Sequence, residues 1–163
     1  MALQAPAVDQ ESLGAWLIKC RPDASLLGGW LRTGFQDVSP RCVRRTYRTD
    51  LVAAGQPVLF WISGQDRECP AGIYAQGWTT GAAGIDPTHD SADDPARTGA
   101  GTQLVVPVAL ETLASAILRR EIGLHPVLSR IEVMRMPAGS NPSFLDRTQL
   151  DELRRAWPQV TLA

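Results

Sequence analysis

The sequence predicts a mixed α+β domain, and three observations carry that expectation. First, Pro57-Val-Leu-Phe-Trp-Ile-Ser-Gly64 and Pro70-Ala-Gly-Ile-Tyr-Ala-Gln-Gly-Trp78 are apolar, aromatic-rich runs of strand length. The polar segment Gln65-Asp-Arg-Glu-Cys69 separates them, so they read as an antiparallel pair. Val58 to Ile62 is apolar at every position, which marks a strand covered on both faces. Second, Trp16-Leu-Ile-Lys-Cys20 is another strand-length run, ended by Arg21-Pro22-Asp23. Third, helix starts are visible at Ser39-Pro40 and at Asp146, where Gln149 completes a capping box.

The remaining elements follow in order. Residues 1–12 are small and polar and are expected to form a flexible leader. Leu26, Leu27, Trp30 and Leu31 share one face of a short helix, weakened by Gly28 and Gly29. From Ser39-Pro40 a helix is expected to run to about Ala53, with Gly55 as its stop. On it Arg41, Arg44, Arg45 and Arg48 fall at i, i+3, i+4 and i+7, a stripe of guanidinium groups along one side. A solvated face gives such a stripe, but that face usually mixes signs, and only Asp50 does so here. The stripe is therefore a candidate phosphate contact.

Residues 79 to 102 are rich in Gly, Ala, Asp, Pro and Thr and read as a long mobile loop. Its Asp86, His89, Asp90, Asp93 and Asp94 match no calcium-loop spacing and read as a solvated acidic segment. Gln103 to Val108 is expected as a strand. Ala109 to Arg120 reads as a helix, with Leu110, Leu113, Ile117 and Leu118 on its apolar face. His125 before Pro126 reads as structural. Arg130 to Met134 is expected as a strand, Gly139 to Ser143 as a loop. A final helix carries Leu150, Leu153 and Trp157. The length of 163 residues suits a single domain from residue 13 to 163.

Composition narrows the function classes. A net charge of −1 argues against bulk coating of nucleic acid. Sixteen residues are Lys or Arg, and Lys19 is the only lysine. Arginine suits planar recognition of phosphate and base edges, although a codon bias toward arginine gives the same count. No apolar run reaches membrane-spanning length, and Met1-Ala-Leu-Gln-Ala-Pro6 lacks the pattern of a signal peptide. Cys20, Cys42 and Cys69 are an odd number without metal-ligand spacing, which favours reduced thiols and a cytoplasmic setting. No GxSxG elbow, P-loop or HExxH is present. Cys42 lies near the start of the arginine-bearing helix, where a thiolate is stabilised, but no base is placed beside it. No cofactor and no metal are expected, and the balance falls on binding rather than catalysis.

Five segments in order resemble the EVE domain of the PUA-like superfamily, a relative of the YTH domain. They are Trp16-Leu-Ile-Lys-Cys-Arg-Pro-Asp23, Cys42-Val-Arg-Arg-Thr-Tyr-Arg-Thr-Asp-Leu51, Gly55-Gln-Pro-Val-Leu-Phe-Trp-Ile-Ser-Gly64, Pro70-Ala-Gly-Ile-Tyr-Ala-Gln-Gly77 and Glu132 to Leu145 with its Asn141-Pro142. The resemblance spans about residues 14 to 157. It implies a strongly curved, barrel-like sheet flanked by helices, with a pocket at one end that takes a modified base out of a DNA or RNA strand. Carried over by motif, that pocket is framed by Lys19, Cys20 and Arg21; by Cys42, Val43 and Arg45; by Trp61, Ser63 and Gly64; and by Asn141, Pro142 and Ser143. Arg41, Arg44, Arg45 and Arg48 would hold phosphates. The position before the Cys-Val pair is commonly aromatic in similar proteins and is Arg41 here, whose guanidinium could stack on a base instead. Trp16 and Trp61 read either as pocket walls or as core. The expected function is a non-enzymatic reader of nucleic acid. The alternatives are a PUA-like enzyme acting on RNA or a nucleotide, and a module for a small molecule or protein.

Overall fold

In the computed structural model, residues 7–64, 66–86 and 103–163 are described. Among the described residues eight strands and four α-helices follow one another: β1 (Leu13–Cys20), α1 (Ala24–Thr33), β2 (Arg41–Cys42), β3 (Pro57–Ile62), β4 (Gly72–Thr79), β5 (Gly84–Asp86), β6 (Gln103–Val106), β7 (Val108–Leu118), α2 (Arg119–Ile122), α3 (Glu132–Arg135), β8 (Ser143–Asp146) and α4 (Arg147–Ala156). The class is α+β. A five-stranded sheet has the order β7-β4-β3-β1-β8, and a three-stranded sheet the order β2-β6-β5. The anticipated central pair forms, with β3 antiparallel to β4 and parallel to β1.

The uninterrupted apolar run of β3 has its reason in two cores, one on each face of the large sheet. Val58, Phe60 and Ile62 enter one cluster with Trp16, Trp30 and Phe35. Leu59 and Trp61 enter the other with Ile73, Ile117, Leu150 and Leu153. Val43 and Val106 of the small-sheet region pack into the first cluster. Gly77 is required by close approach, since a Cβ there would lie 1.8 Å from the Ala109 carbonyl oxygen.

The capping box at Asp146 forms as read, with Gln149 N–H donating to Asp146 Oδ1 at 2.8 Å. Helix α1 is capped by Asp23, whose Oδ1 accepts from Leu26 N–H at 2.8 Å.

Five expectations are corrected. The helix from Ser39 does not form. Ser39 Oγ accepts from Val108 N–H at 3.0 Å, so the hydroxyl joins two distant segments instead of capping a helix. Arg41–Cys42 becomes β2, and only Tyr47–Leu51 turns, as a 3₁₀ helix. Residues 108–118 are a strand rather than a helix. The register against β4 shifts between Ile73–Ile117 and Ala75–Thr112, so extra residues bulge out of β7. The bulge sends Val108 and Leu110 to one core and Leu113 and Ile117 to the other, which produces helix-like spacing in a strand. Residues 130–134 form helical turns rather than a strand. Finally, residues 7–12 of the expected leader are tied down: Val8 is buried, and its N–H donates to Tyr47 Oη at 3.0 Å. Of the expected mobile loop, Gly84–Asp86 is strand β5, and 87–102, with His89, Asp90, Asp93 and Asp94, lie outside the described residues.

Candidate nucleic-acid interface

Cys20, Ile62, Gly72 and Leu118 stand in one row across β1, β3, β4 and β7. The chain leaves or enters the sheet immediately beyond this row, at Arg21, Ser63, Ala71 and Arg119. Ser63 N–H donates to the Cys20 carbonyl at 2.7 Å, which prolongs the β1–β3 ladder by one residue. Gly64 follows with φ of 125°, a conformation open to glycine. A Cβ there would lie 3.6 Å from Arg21 Nε, so the bare backbone runs beside that guanidinium.

The closing loop is fastened onto this end by one amide. Asn141 Oδ1 accepts from Lys19 N–H at 3.1 Å, and Nδ2 donates to the Lys19 carbonyl at 3.1 Å and to the Cys42 carbonyl at 3.4 Å. The Asn141 carbonyl in turn accepts from Arg44 N–H at 2.8 Å. A single side chain thus holds β1, β2 and the segment before β8 together. Lys19 is buried and donates from Nζ to the carbonyls of Pro137 and Gly139 at 3.2 and 2.9 Å. Burial pushes its pKa down; Glu132 opposes that, and Arg44 and Arg48 add to it.

Beneath lies a buried ion pair. Arg48 Nη1 and Nη2 donate to Glu132 Oε1 and Oε2, each at 2.7 Å. Arg48 Nη1 also reaches the Pro142 carbonyl at 3.2 Å, and Ser143 Oγ donates to Glu132 Oε1 at 2.8 Å. Burial alone would raise the Glu132 carboxyl, but the hydrogen bonds from Arg48 and Ser143 outweigh it and hold the pKa below its ordinary value. The hydrogen bonds to Glu132 raise the Arg48 pKa against the opposing effect of burial.

The residues expected to frame a pocket therefore divide by burial. Cys20, Cys42, Val43, Trp61, Pro142 and Ser143 are buried, as are Lys19 and Asn141, and Val43 and Trp61 belong to the two different core clusters. Arg21, Arg44 and Arg45 are exposed, and Ser63 and Gly64 are partly so. The arginine stripe is corrected. Arg41 and Arg48 are 4% and 2% exposed. The Arg41 guanidinium stacks inward, 5.4 Å from the Trp30 ring centre, and Nη2 donates to Cys20 Sγ at 3.3 Å. It is not placed to stack on a base. Trp16 and Trp61 are core, and Trp16 Nε1 donates to Gln56 Oε1 at 2.7 Å. Among the described residues, Arg21, Arg44 and Arg45 have no carboxylate partner. His125 is structural as read, its Nδ1 accepting from Val127 and Leu128 N–H.

Sequence reasoning missed Glu132. Its one signal is a lone carboxylate between Ile131 and Val133, a pattern that calls for a buried cation.

No family profile matches the sequence, and no curated protein is detectably similar to it. Structural likeness is clear nonetheless. A protein from Rhodopseudomonas palustris aligns over 91% of this chain and 95% of its own, with a TM-score of 0.62 and 14% identity. The DUF55 domain of human thymocyte nuclear protein 1 (THYN1), an EVE-type domain, aligns over 90% of this chain and 99% of its own, with a TM-score of 0.57 and 14% identity. This chain has the EVE-type fold. Human THYN1 in complex with 5-methylcytosine containing DNA also aligns, over 87% of this chain and 96% of its own, with a TM-score of 0.58 and 16% identity. In this EVE-type fold the five anticipated segments supply β1, the β2 region, β3, β4 and the entry to β8. Among the described residues no helix is long and apolar enough to cross a membrane, and no group of His, Cys, Asp or Glu is arranged to hold a metal.

Proposed function

We propose that this chain is a non-enzymatic nucleic-acid-binding module that receives a modified base of a DNA or RNA strand at the carboxyl ends of β1 and β3. The observation that carries the reading is that Arg21, Arg44 and Arg45 are exposed, with Arg21 Nε beside the Gly64 backbone and the Arg44 amide bonded to the Asn141 carbonyl. Reading one extruded base needs cations for its phosphates, polar groups at its edge and a flat surface to stack on. The arginines supply the cations, and their guanidinium planes supply a stacking surface where the tryptophans are buried. Ser63, the Gly64 backbone and the turn before Asn141 supply edge groups. Human THYN1, which shares the fold, is known in complex with 5-methylcytosine containing DNA, and that supports a base of this kind.

The test is a titration at controlled salt with short oligonucleotides carrying cytosine, 5-methylcytosine, 5-hydroxymethylcytosine or 6-methyladenine, in DNA and in RNA. Preference for one modified base is the expected result. Equal binding to all of them would remove the reader function and leave backbone binding. No binding at low salt would overturn the proposal.

A further inference from the structure

The row Cys20–Ile62–Gly72–Leu118 does not stop at the base site. At its far end, past β4 and β7, lies a groove of about 810 Å³. Among the described residues its lining includes apolar Pro70, Leu118 and Met134, the cations Arg67, Arg119 and Arg120, and one carboxylate, Asp66, while Glu121 Oε2 accepts from the Leu118 N–H at 2.8 Å beside it. Arg67 and Arg120 are exposed, and Arg119 is half-buried. Arg119 leaves β7 at the row where Arg21 leaves β1. The two ends are three strand spacings apart, roughly 14 Å at about 4.8 Å per spacing.

We infer that this groove is a second subsite of the same interface, which holds the sugar–phosphate strand a few nucleotides away from the base in the first site. The inference rests on the nucleic-acid reading above. Charge and continuity select the occupant. A cationic rim over an apolar floor suits a strand whose phosphates meet guanidinium groups while a base or sugar lies on the apolar surface. The separation corresponds to about four phosphate steps of a stacked strand at 3.4 Å each. The groove also opens at the same end of the sheet, so one strand can cross both sites without turning around the domain.

The experiment compares a trinucleotide with a nonanucleotide, each carrying 5-methylcytosine at its centre, on wild type, on an Arg67→Gln/Arg120→Gln variant and on an Arg44→Gln/Arg45→Gln variant. Wild type should bind the longer strand more tightly. The groove variant should lose that gain and keep wild-type affinity for the trinucleotide. Its salt slope on the nonanucleotide should fall by about 1.4, near 0.7 for each phosphate contact removed from a single strand. A groove variant that keeps the gain with length, while the Arg44/Arg45 variant weakens the trinucleotide, overturns the second subsite and leaves the first site standing. Loss of trinucleotide binding in the groove variant also overturns it, because the two sites would then be one. If wild type binds neither strand at low salt, the parent reading falls and this inference with it.

Discussion

Arg48 and Glu132 lie 84 residues apart and meet through two hydrogen bonds of 2.7 Å, with both side chains nearly inaccessible. The pair ties the 3₁₀ turn after β2 to helix α3, and Pro142 and Ser143 join it from the closing loop. Arg48 therefore serves the architecture of the site rather than its surface.

Truncation of Arg48 should be severe for stability. Arg48→Ala leaves the Glu132 carboxylate buried without its cation, at a cost of about 3–5 kcal/mol. A double replacement, Arg48→Met with Glu132→Leu, should regain most of that loss, because apolar side chains of similar volume need no partner. Chemical denaturation of Arg48→Met, Glu132→Leu and the double gives the coupling energy, and additive singles would contradict the pairing.

Acid should unfold the protein partly through Glu132. Its folded pKa lies below the ordinary value of 4.5. As pH falls past 4.5, the unfolded chain takes up a proton that the folded chain still resists. The unfolded state then binds more protons, so stability falls with pH through that window and is fully present above it. Lys19, whose pKa is also lowered, gives stability that rises with pH as 10.5 is approached from below. Denaturation midpoints of Glu132→Gln across the acid limb should show a shallower slope than wild type.

The exposed arginines should act on binding alone. Arg44→Gln and Arg45→Gln should each change stability by less than about 0.5 kcal/mol. Each should lower the salt slope of oligonucleotide binding by about 0.7 to 0.9. An unchanged slope in the double variant would place the phosphates elsewhere.

Asn141→Ala should damage fold and site together. It leaves the Lys19 amide and carbonyl without the partner that now satisfies them, a loss of about 1–3 kcal/mol. Hydrogen exchange at Lys19 and Arg44 should quicken, and base binding should weaken because the turn at 139–141 loses its anchor. Exchange rates equal to wild type would show that the clamp is dispensable.

Trp61 gives the opposite pattern. Trp61→Ala should cost about 3–5 kcal/mol as a core truncation. Trp61→Phe should leave base preference unchanged, since the indole faces Ile73 and Ile117 rather than the surface. A shift in preference with Trp61→Phe would return that ring to the pocket.

Legibility in the sequence followed the range of the interactions. The β3–β4 pair, β1, α1 and the Asp146 capping box were readable because alternation, turn residues and caps are local. Ser39 and the 108–118 segment misled for non-local reasons. The Ser39 hydroxyl accepts from the Val108 N–H, 69 residues away, and the bulge in β7 gives a strand the apolar spacing of a helix. The arginine stripe failed with its helix: on a short strand and a 3₁₀ turn, Arg41 and Arg48 point inward while Arg44 and Arg45 do not.

The α+β class, the central strand and the segments that meet at one end of the sheet were legible in the residues alone. Burial pattern and turn chemistry are written into neighbouring residues. Which cations stand exposed to a ligand is set by packing between distant segments. A guanidinium in the sequence carries the same charge wherever it stands. Whether it faces Glu132, an aromatic core or water depends on partners up to 84 residues away.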